Sequence, residues 1–127
     1  TFGKDSSNIG RLRTSALFSN TSTVRAKITG YNTVYRLIAS GKPIESCGGA
    51  AGRRFSTLIQ LEGLKNNSSA AWQTFTPVML ITSELLTYIS TDLNTINCGI
   101  DCETTFYGED ENGYDLEVEG VLHIDVL

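Results

Sequence analysis

Alternating apolar and polar residues are the most informative pattern in this 127-residue chain, and they are clearest near its C-terminal end. From residue 116 to residue 126, every second position is apolar or Gly, and the positions between them are mostly charged. This period of two predicts a strand with one face on a core and the other toward water or a basic partner. The acidic turn before it ends in Asn112-Gly113, a dipeptide typical of a β-hairpin.

Three segments nearer the N-terminus also predict strands, and the second and third of them form a long hairpin. Residues 23–29 alternate between apolar and polar positions, and Gly30 is expected to end this strand. Residues 31–39 carry apolar side chains on both faces, as a more buried strand does, and residues 55–61 alternate again. The connection between them is rich in Gly and closes on two Arg residues, which predicts a flexible, basic hairpin tip.

Two segments depart from the strand pattern. Residues 1–22 keep no sustained period, and we predict an extended N-terminal arm that is loosely held or ordered by a neighbouring subunit. In the second segment, Leu85, Tyr88 and Ile89 recur at helical spacing, although β-branched neighbours resist a helix. We predict at most one short helix, near residues 83–93, and the pattern leaves a strand over residues 82–94 open.

The composition agrees with a β-rich fold. The chain holds 15 Thr, 12 Ser and 12 Gly, whereas Lys and Glu, the usual surface helix formers, are scarce. We therefore predict an all-β fold, a single β-sandwich or barrel-like domain that is mostly antiparallel and spans residues 23–127, after the arm at residues 1–22. No apolar run approaches the roughly 18 residues of a membrane-spanning helix, so we expect no membrane partner.

Charge is divided between the two halves of the chain. All ten Lys and Arg residues lie within the first 65 positions, which carry a net charge of +7, and residues 66–127 hold eleven acids and no Lys or Arg. The overall net charge of −4 hides this separation. Such asymmetry is informative about partners, and two arrangements are open. In the first, basic and acidic strands pair within one sheet, with Arg25 and Lys27 facing Glu117 and Glu119.

In the second arrangement, the two charged halves lie on opposite sides of the subunit, so that copies associate head to tail. The basic side of this predicted interface is Arg11, Arg13, Arg25, Lys27, Arg53 and Arg54. The acidic side is Glu109, Asp110, Glu111, Glu117 and Glu119. We expect the partners to be copies of the chain itself and other proteins of the same particle, and we do not expect an acidic chain to bind nucleic acid.

Side chains that could carry chemistry are few. The single His, His123, lies on the polar face of the last predicted strand, and no nucleophile motif precedes it. One set offers zinc-type ligands at poor spacing: Cys47, Cys98, Cys102 and His123. A Cys98–Cys102 disulfide is also open, because a Gly between them permits a tight turn. Residues 110–115 offer calcium-type oxygens but lack the terminal Glu of a full calcium loop. We predict no catalytic residues, no metal, no cofactor and no enzymatic activity.

The predicted function is that of a non-enzymatic structural subunit that assembles with copies of itself. The arm, the β pattern, the composition and the separated charges together suggest a virion protein, such as a capsid-decoration or tail component of a phage, assembled in the host cytoplasm. The alternative is a carbohydrate- or host-surface-binding β-sandwich module that uses the loop at residues 107–114 or the loop at residues 47–54.

Overall fold

The computed structural model describes residues 14–20, 22–63, 72–91 and 98–126, and within them six strands and one α-helix form. The strands are β1 (Thr14–Ser19), β2 (Ala26–Leu37), β3 (Arg53–Leu61), β4 (Trp72–Val78), β5 (Cys98–Asp110) and β6 (Asp115–Val126), and the helix α1 is Ser83–Thr91. Each pair of neighbouring strands is antiparallel. This confirms the predicted class, mostly antiparallel β structure with one short helix.

Four strands form the main sheet in the order β3-β2-β5-β6, and β1 pairs with β4 in a separate two-stranded ribbon. Among the described strands, β3 and β6 are the edges of the main sheet, because each is hydrogen-bonded to one neighbour. Residues 14–19 of the predicted N-terminal arm form β1 and pair with β4 of the same chain. Residues 1–13, with Arg11 and Arg13, lie outside the described residues.

The hydrophobic core lies on one face of the main sheet and divides into two clusters. In the first cluster, Leu85 and Ile89 of α1 pack with Ile100, Cys102 and Ile124 from β5 and β6. A spacing of four places Leu85 and Ile89 on the same side of the helix, and they are 0% and 1% exposed. The helix therefore covers the end of the sheet where β5 begins and β6 finishes.

The second cluster lies between the main sheet and the β1–β4 ribbon. Phe18 of β1 and Val78 of β4 pack there with Tyr31 and Phe106 of the main sheet. The rings of Phe18 and Phe106 meet edge to face, with their centroids 5.1 Å apart. The hydroxyl of Tyr31 accepts a hydrogen bond from the N–H of Met79 at 2.7 Å and donates to the Met79 carbonyl at 3.3 Å. These bonds attach the chain that follows β4 to the sheet.

Helix α1 forms although it contains hydroxyl and β-branched residues that disfavour helices. The hydroxyl of Thr82 caps the helix, because it accepts a hydrogen bond from the N–H of Leu85 at 3.2 Å. The hydroxyls of Thr87 and Thr91 donate to carbonyls one turn earlier, so the helix itself satisfies them. Burial of Leu85 and Ile89 then supplies the tertiary stabilisation that helix propensity lacks.

Strand β2 is one strand of twelve residues, where two strands separated at Gly30 were predicted. The predicted break is wrong, because β2 continues through Gly30 with a shift of register against both β3 and β5. This bulge explains why buried side chains lie at even positions before it, such as Ile28, and at odd positions after it, such as Tyr31. A side chain does not fit at Gly30, since a Cβ there would lie 2.8 Å from the Tyr107 ring.

Candidate assembly surface

The face of the main sheet opposite the two cores, here called the open face, carries most of the charged strand residues. Strand geometry places every second side chain on it. On β2 and β3 the open face presents Lys27, Asn32, Val34, Arg36, Arg54, Ser56 and Leu58. On β5 and β6 it presents Asp101, Glu103, Thr105, Tyr107, Glu109, Asp115, Glu117, Glu119, Val121, His123 and Asp125. The open face is therefore basic on β3 and β2, and acidic on β5 and β6.

Ion pairs between β2 and β5 neutralise part of this charge. The Nζ atom of Lys27 lies 3.2 Å from Oε1 of Glu109. The Nε–H group of Arg36 donates to Oε2 of Glu103 at 3.0 Å. These side chains remain partly exposed, and exposed pairs of this kind contribute about 0.2–1 kcal/mol each. The acids at the centre of the open face are thus balanced within the subunit.

Arg25 and Lys27, which were predicted to belong to a basic interface, both have acidic partners in the same chain. Just before β2, Nε of Arg25 lies 3.7 Å from Oε2 of Glu111 in the β5–β6 turn. The hypothesis that these two cations face Glu117 and Glu119 is wrong. Because β2 lies beside β5 and not beside β6, the acids across from it belong to β5 and to the turn.

The two Arg residues at the start of β3 have different surroundings. The Nη2 atom of Arg53 lies 2.5 Å from Oε2 of Glu84 in α1, so its charge is paired on the core side of the sheet. Arg54 lies on the open face, where its guanidinium carbon is 5.5 Å from the centre of the Tyr107 ring. Arg54 has no carboxylate partner in the described part of the chain. Its guanidinium can therefore donate to an acid of another molecule.

The turn between β5 and β6 is organised by the Asp110 carboxylate. It accepts hydrogen bonds from the N–H groups of Asn112 at 2.9 Å and Tyr114 at 3.0 Å. Gly113 has a φ of 84°, which favours Gly. The predicted hairpin is confirmed, and Asp110, predicted for the acidic interface, acts within the turn.

The described residues contain no group of three or more His, Cys, Asp or Glu side chains that could hold a metal ion.

Strand β6 carries a second set of acids on the open face. We call this edge strand, with its acids and its outer backbone, the acidic edge. Its carboxylates are those of Asp115, Glu117, Glu119 and Asp125. Within the ranges that the structure describes, none of the four forms an ion pair. The backbone on the outer side of β6 also pairs with no described strand along its twelve residues. The acidic edge therefore offers both unneutralised charge and unpaired backbone groups.

Two exposed Val residues make the acidic edge partly apolar. Val121 lies on the open face and is 56% exposed, and Val118 is 47% exposed although it lies on the core face. The pairing of β6 with β5 has no bulge from Asp115 to Val126, so the edge is regular. A long, regular and partly apolar edge is a template for pairing with another chain, and native proteins usually protect it. Sequence pattern predicted the alternation in β6, but carried no signal that β6 lies at the edge.

The structure separates the candidate zinc ligands, because Cys47 and Cys102 share the first core cluster and His123 lies on the opposite face of the sheet. Nδ1 of His123 bonds to Oδ1 of Asp101 on the open face, whereas Cys47 and Cys102 are buried on the core side. Burial raises the pKa of the Cys102 thiol to about 12, so this thiol is protonated at neutral pH. Cys98 and Cys102 lie four residues apart in the extended strand β5, about 13 Å, which is too far for the disulfide considered above.

An open cleft of about 370 Å³ lies where β2 and β3 meet the acidic turn. Its walls include the side chains of Arg25, Lys27, Glu62, Glu109 and Glu111. Two of the ion pairs described above join residues of this wall, so most of its charge is already neutralised. The cleft is thus a weaker candidate for binding charged groups than the acidic edge.

The chain matches no protein-family model, and neither a curated protein nor a solved structure is significantly similar to it. Within the described ranges, no helix has the length and apolar content needed to cross a membrane. The functional argument therefore depends on the geometry and charge of the acidic edge and of the opposite edge strand, β3.

Proposed function

We propose that this chain is a non-enzymatic structural subunit that assembles with copies of itself. The observation that carries the proposal is the acidic edge: a regular twelve-residue strand whose outer backbone is unpaired and whose carboxylates are without basic partners in the described chain. Pairing of this edge with another copy satisfies its backbone groups and buries part of Val118 and Val121. A basic surface on the second copy neutralises its acids.

The same features support the proposal that the assembled particle is a virion, in which the chain is a capsid-decoration or tail component of a phage. Such a particle repeats one subunit many times, and a contact between unlike surfaces of identical copies closes into rings or continues as tubes. The second core is shared by the main sheet and the β1–β4 ribbon, which supports the sandwich-like arrangement that the sequence predicts. Assembly in the host cytoplasm and contact with other particle proteins belong to the same proposal.

Measurement of mass against ionic strength tests self-assembly directly. Size-exclusion chromatography with light scattering at low salt is expected to show species larger than the 13.8 kDa monomer. These species should shift toward the monomer as salt rises, because the Debye length falls from about 10 Å at 0.1 M salt to about 3 Å at 1 M. A chain that stays monomeric at low salt and high protein concentration would contradict the proposal.

A charge reversal on the acidic edge shows whether its carboxylates serve assembly. Glu117→Lys is expected to weaken the larger species, since it places a cation on the open face where the described chain offers the native acid no cationic partner. Glu45→Lys is the matched control, because Glu45 is exposed in a short 3₁₀ helix outside the strands and undergoes the same change of charge. Equal effects of the two substitutions would show that net charge matters and the acidic edge does not.

The alternative function, a carbohydrate- or host-surface-binding module, is supported by one observation at the acidic turn. Tyr114 is 70% exposed there, beside Gly113, which lines the open cleft. An exposed aromatic ring next to carboxylates is a surface on which a sugar ring can stack. A glycan-binding assay with the Tyr114→Ala variant tests this function. Binding that Tyr114→Ala abolishes and Glu117→Lys leaves intact would favour it over self-assembly.

A further inference from the structure

We infer that the acidic edge of one copy pairs with strand β3 of the next copy, so that the main sheet continues from subunit to subunit. This inference rests on the proposed self-assembly and names the two surfaces that meet. Strand β3 is the opposite edge of the main sheet in the described chain. Its nine residues include two Arg and no acid. The two edges are therefore complementary in charge as well as in backbone hydrogen bonding.

Strand direction agrees with this contact. Neighbouring strands in the order β3-β2-β5-β6 are all antiparallel, so β3 and β6 run in opposite directions. A second copy displaced sideways along the sheet, without being turned over, brings its β3 beside β6 of the first copy in antiparallel orientation. The open faces of both copies then lie on the same side, and so do their cores.

The registers within one subunit define which residues meet. Arg54 of β3 pairs with Asn32, Asn32 pairs with Thr105, and Thr105 pairs with Glu119 of β6. These four residues therefore lie at one level across the sheet. If the next copy continues at the same level, its Arg54 lies directly opposite Glu119. Arg54 has no carboxylate partner among the described residues, unlike Lys27 and Arg53. Glu119 has no cationic partner among the same residues.

The core side of the same contact is apolar. Phe55 pairs with Tyr31, Tyr31 with Phe106, and Phe106 with Val118, so Phe55 of the next copy lies opposite Val118. Val118 faces the core side of the sheet but is 47% exposed. Contact with Phe55 buries this Val and joins the apolar layers of the two copies. The charged pair of Arg54 with Glu119 and the apolar pair of Phe55 with Val118 thus form in the same register between the two copies.

A symmetric contact of β6 with β6 is less favourable. It brings together the four carboxylates of each acidic edge, and neither strand holds a Lys or Arg. An antiparallel pairing of β3 with β3 places the two Arg at the start of each strand beside the far end of the other strand, which offers them no acid. Like charges that face each other across paired strands are destabilising. The contact of β6 with β3 uses unlike surfaces, so it leaves a free edge at each end and can add further copies.

Charge exchange between Arg54 and Glu119 tests the contact. Each of the variants Arg54→Glu and Glu119→Arg is expected to weaken self-assembly about tenfold or more, because like charges then face each other. A mixture of the two variants is expected to assemble again. In that mixture the cation introduced by Glu119→Arg meets the carboxylate introduced by Arg54→Glu, and the native pair forms at the alternate junctions. Sedimentation velocity at low salt measures all three samples against the native protein.

Lys42→Glu is the matched control for Arg54→Glu, since Lys42 is exposed outside the strands and undergoes the same change of charge. Circular dichroism confirms that each variant keeps its fold. If the native protein assembles and Arg54→Glu assembles equally well, the contact of β6 with β3 is wrong and self-assembly stands. Failure of the mixture to recover while both variants are folded also overturns it. If the native protein is monomeric, the proposed function fails together with the contact.

Discussion

The open-face acids of β5 and the open-face acids of β6 lie on the same side of one sheet, yet in the described chain only those of β5 have basic partners. Glu103 and Glu109 lie on a central strand, where β2 places Arg36 and Lys27 beside them. Glu119 lies on the edge strand, where β5 is the neighbour and no cation faces it in the described chain. The difference shows that strand position, more than composition, decides which charges are neutralised inside the subunit and which are left for a partner.

The two ends of β6 differ in the same way. Ile124 is 5% exposed because α1 covers that end of the sheet, whereas Val118, on the same side of the same strand, is 47% exposed. One amphipathic strand therefore serves the core at one end and is available to a partner at the other. Substitutions at the covered end are expected to lower the free energy of unfolding, whereas substitutions at the exposed end are expected to weaken association between copies.

The largest difference is expected between Ile124→Ala and Val118→Ala. Removing the buried Ile side chain leaves a cavity in the first cluster, and the free energy of unfolding should fall by about 2–5 kcal/mol. The Val118→Ala loss should stay under about 1 kcal/mol in the monomer, because nearly half of that side chain is already in water. Urea denaturation at dilute protein concentration measures both. Similar losses would show that both ends of β6 are covered.

Alkaline pH should lower the free energy of unfolding, because the Cys102 thiol is buried in the first cluster, under α1. Burial raises the pKa of its thiol from an ordinary 9.0 to about 12, so the unfolded chain loses this proton before the folded one does. The stabilising effect is complete below about pH 9 and is lost as the pH rises toward 12, at up to about 1.4 kcal/mol per pH unit. Urea denaturation between about pH 8 and 11 should show a shallower decline for Cys102→Ala than for the native protein. Parallel declines would contradict this assignment.

Glu119→Gln should separate assembly from stability. Loss of the charge removes one attractive partner for Arg54 of a neighbouring copy, so the association constant should fall by about tenfold at low salt. Stability of the monomer should be unchanged, because Glu119 makes no ion pair in the described chain. Sedimentation equilibrium and urea denaturation measure the two quantities. A loss of monomer stability with unchanged association would mean that Glu119 acts inside the subunit.

Glu109→Gln should give the opposite and smallest result. It breaks the exposed pair with Lys27, so the free energy of unfolding should fall by roughly 0.2–1 kcal/mol. Assembly should change little, since Glu109 lies on the central strand β5 and not at an edge. The same two measurements apply. An effect on association as large as that of Glu119→Gln would remove the distinction between paired and unpaired acids.

Much of the local structure could be predicted from the sequence. The hairpin at Asn112-Gly113 and the two faces of β6 follow from turn chemistry and spacing, and the structure confirms them. For residues 82–94 the sequence left helix and strand open, and the structure shows a helix at Ser83–Thr91. The bulge at Gly30 was missed, and it turned one strand into two in the prediction. A single extra residue shifts the alternation by one position, which in sequence looks the same as a break between strands.

The partners of the charged residues could not be predicted. Arg25 and Lys27 find Glu111 and Glu109 because β2 lies beside β5, an order that depends on long-range packing. A period of two shows which side chains share a face but contains no information about which strand is adjacent. The sequence predicted an interface between a basic half and an acidic half of the chain. The structure narrows this candidate interface to the two edge strands, β3 and β6.

The sequence by itself determined the period of each element, the turn chemistry and the segregation of charge, since these depend on residues close together in the chain. Only the tertiary structure decided that β6 is an edge, that α1 covers one of its ends and that Glu117 and Glu119 stay without cations in the described chain. The reason is that strand order follows from how two core clusters are buried together, and burial is a property of the whole fold.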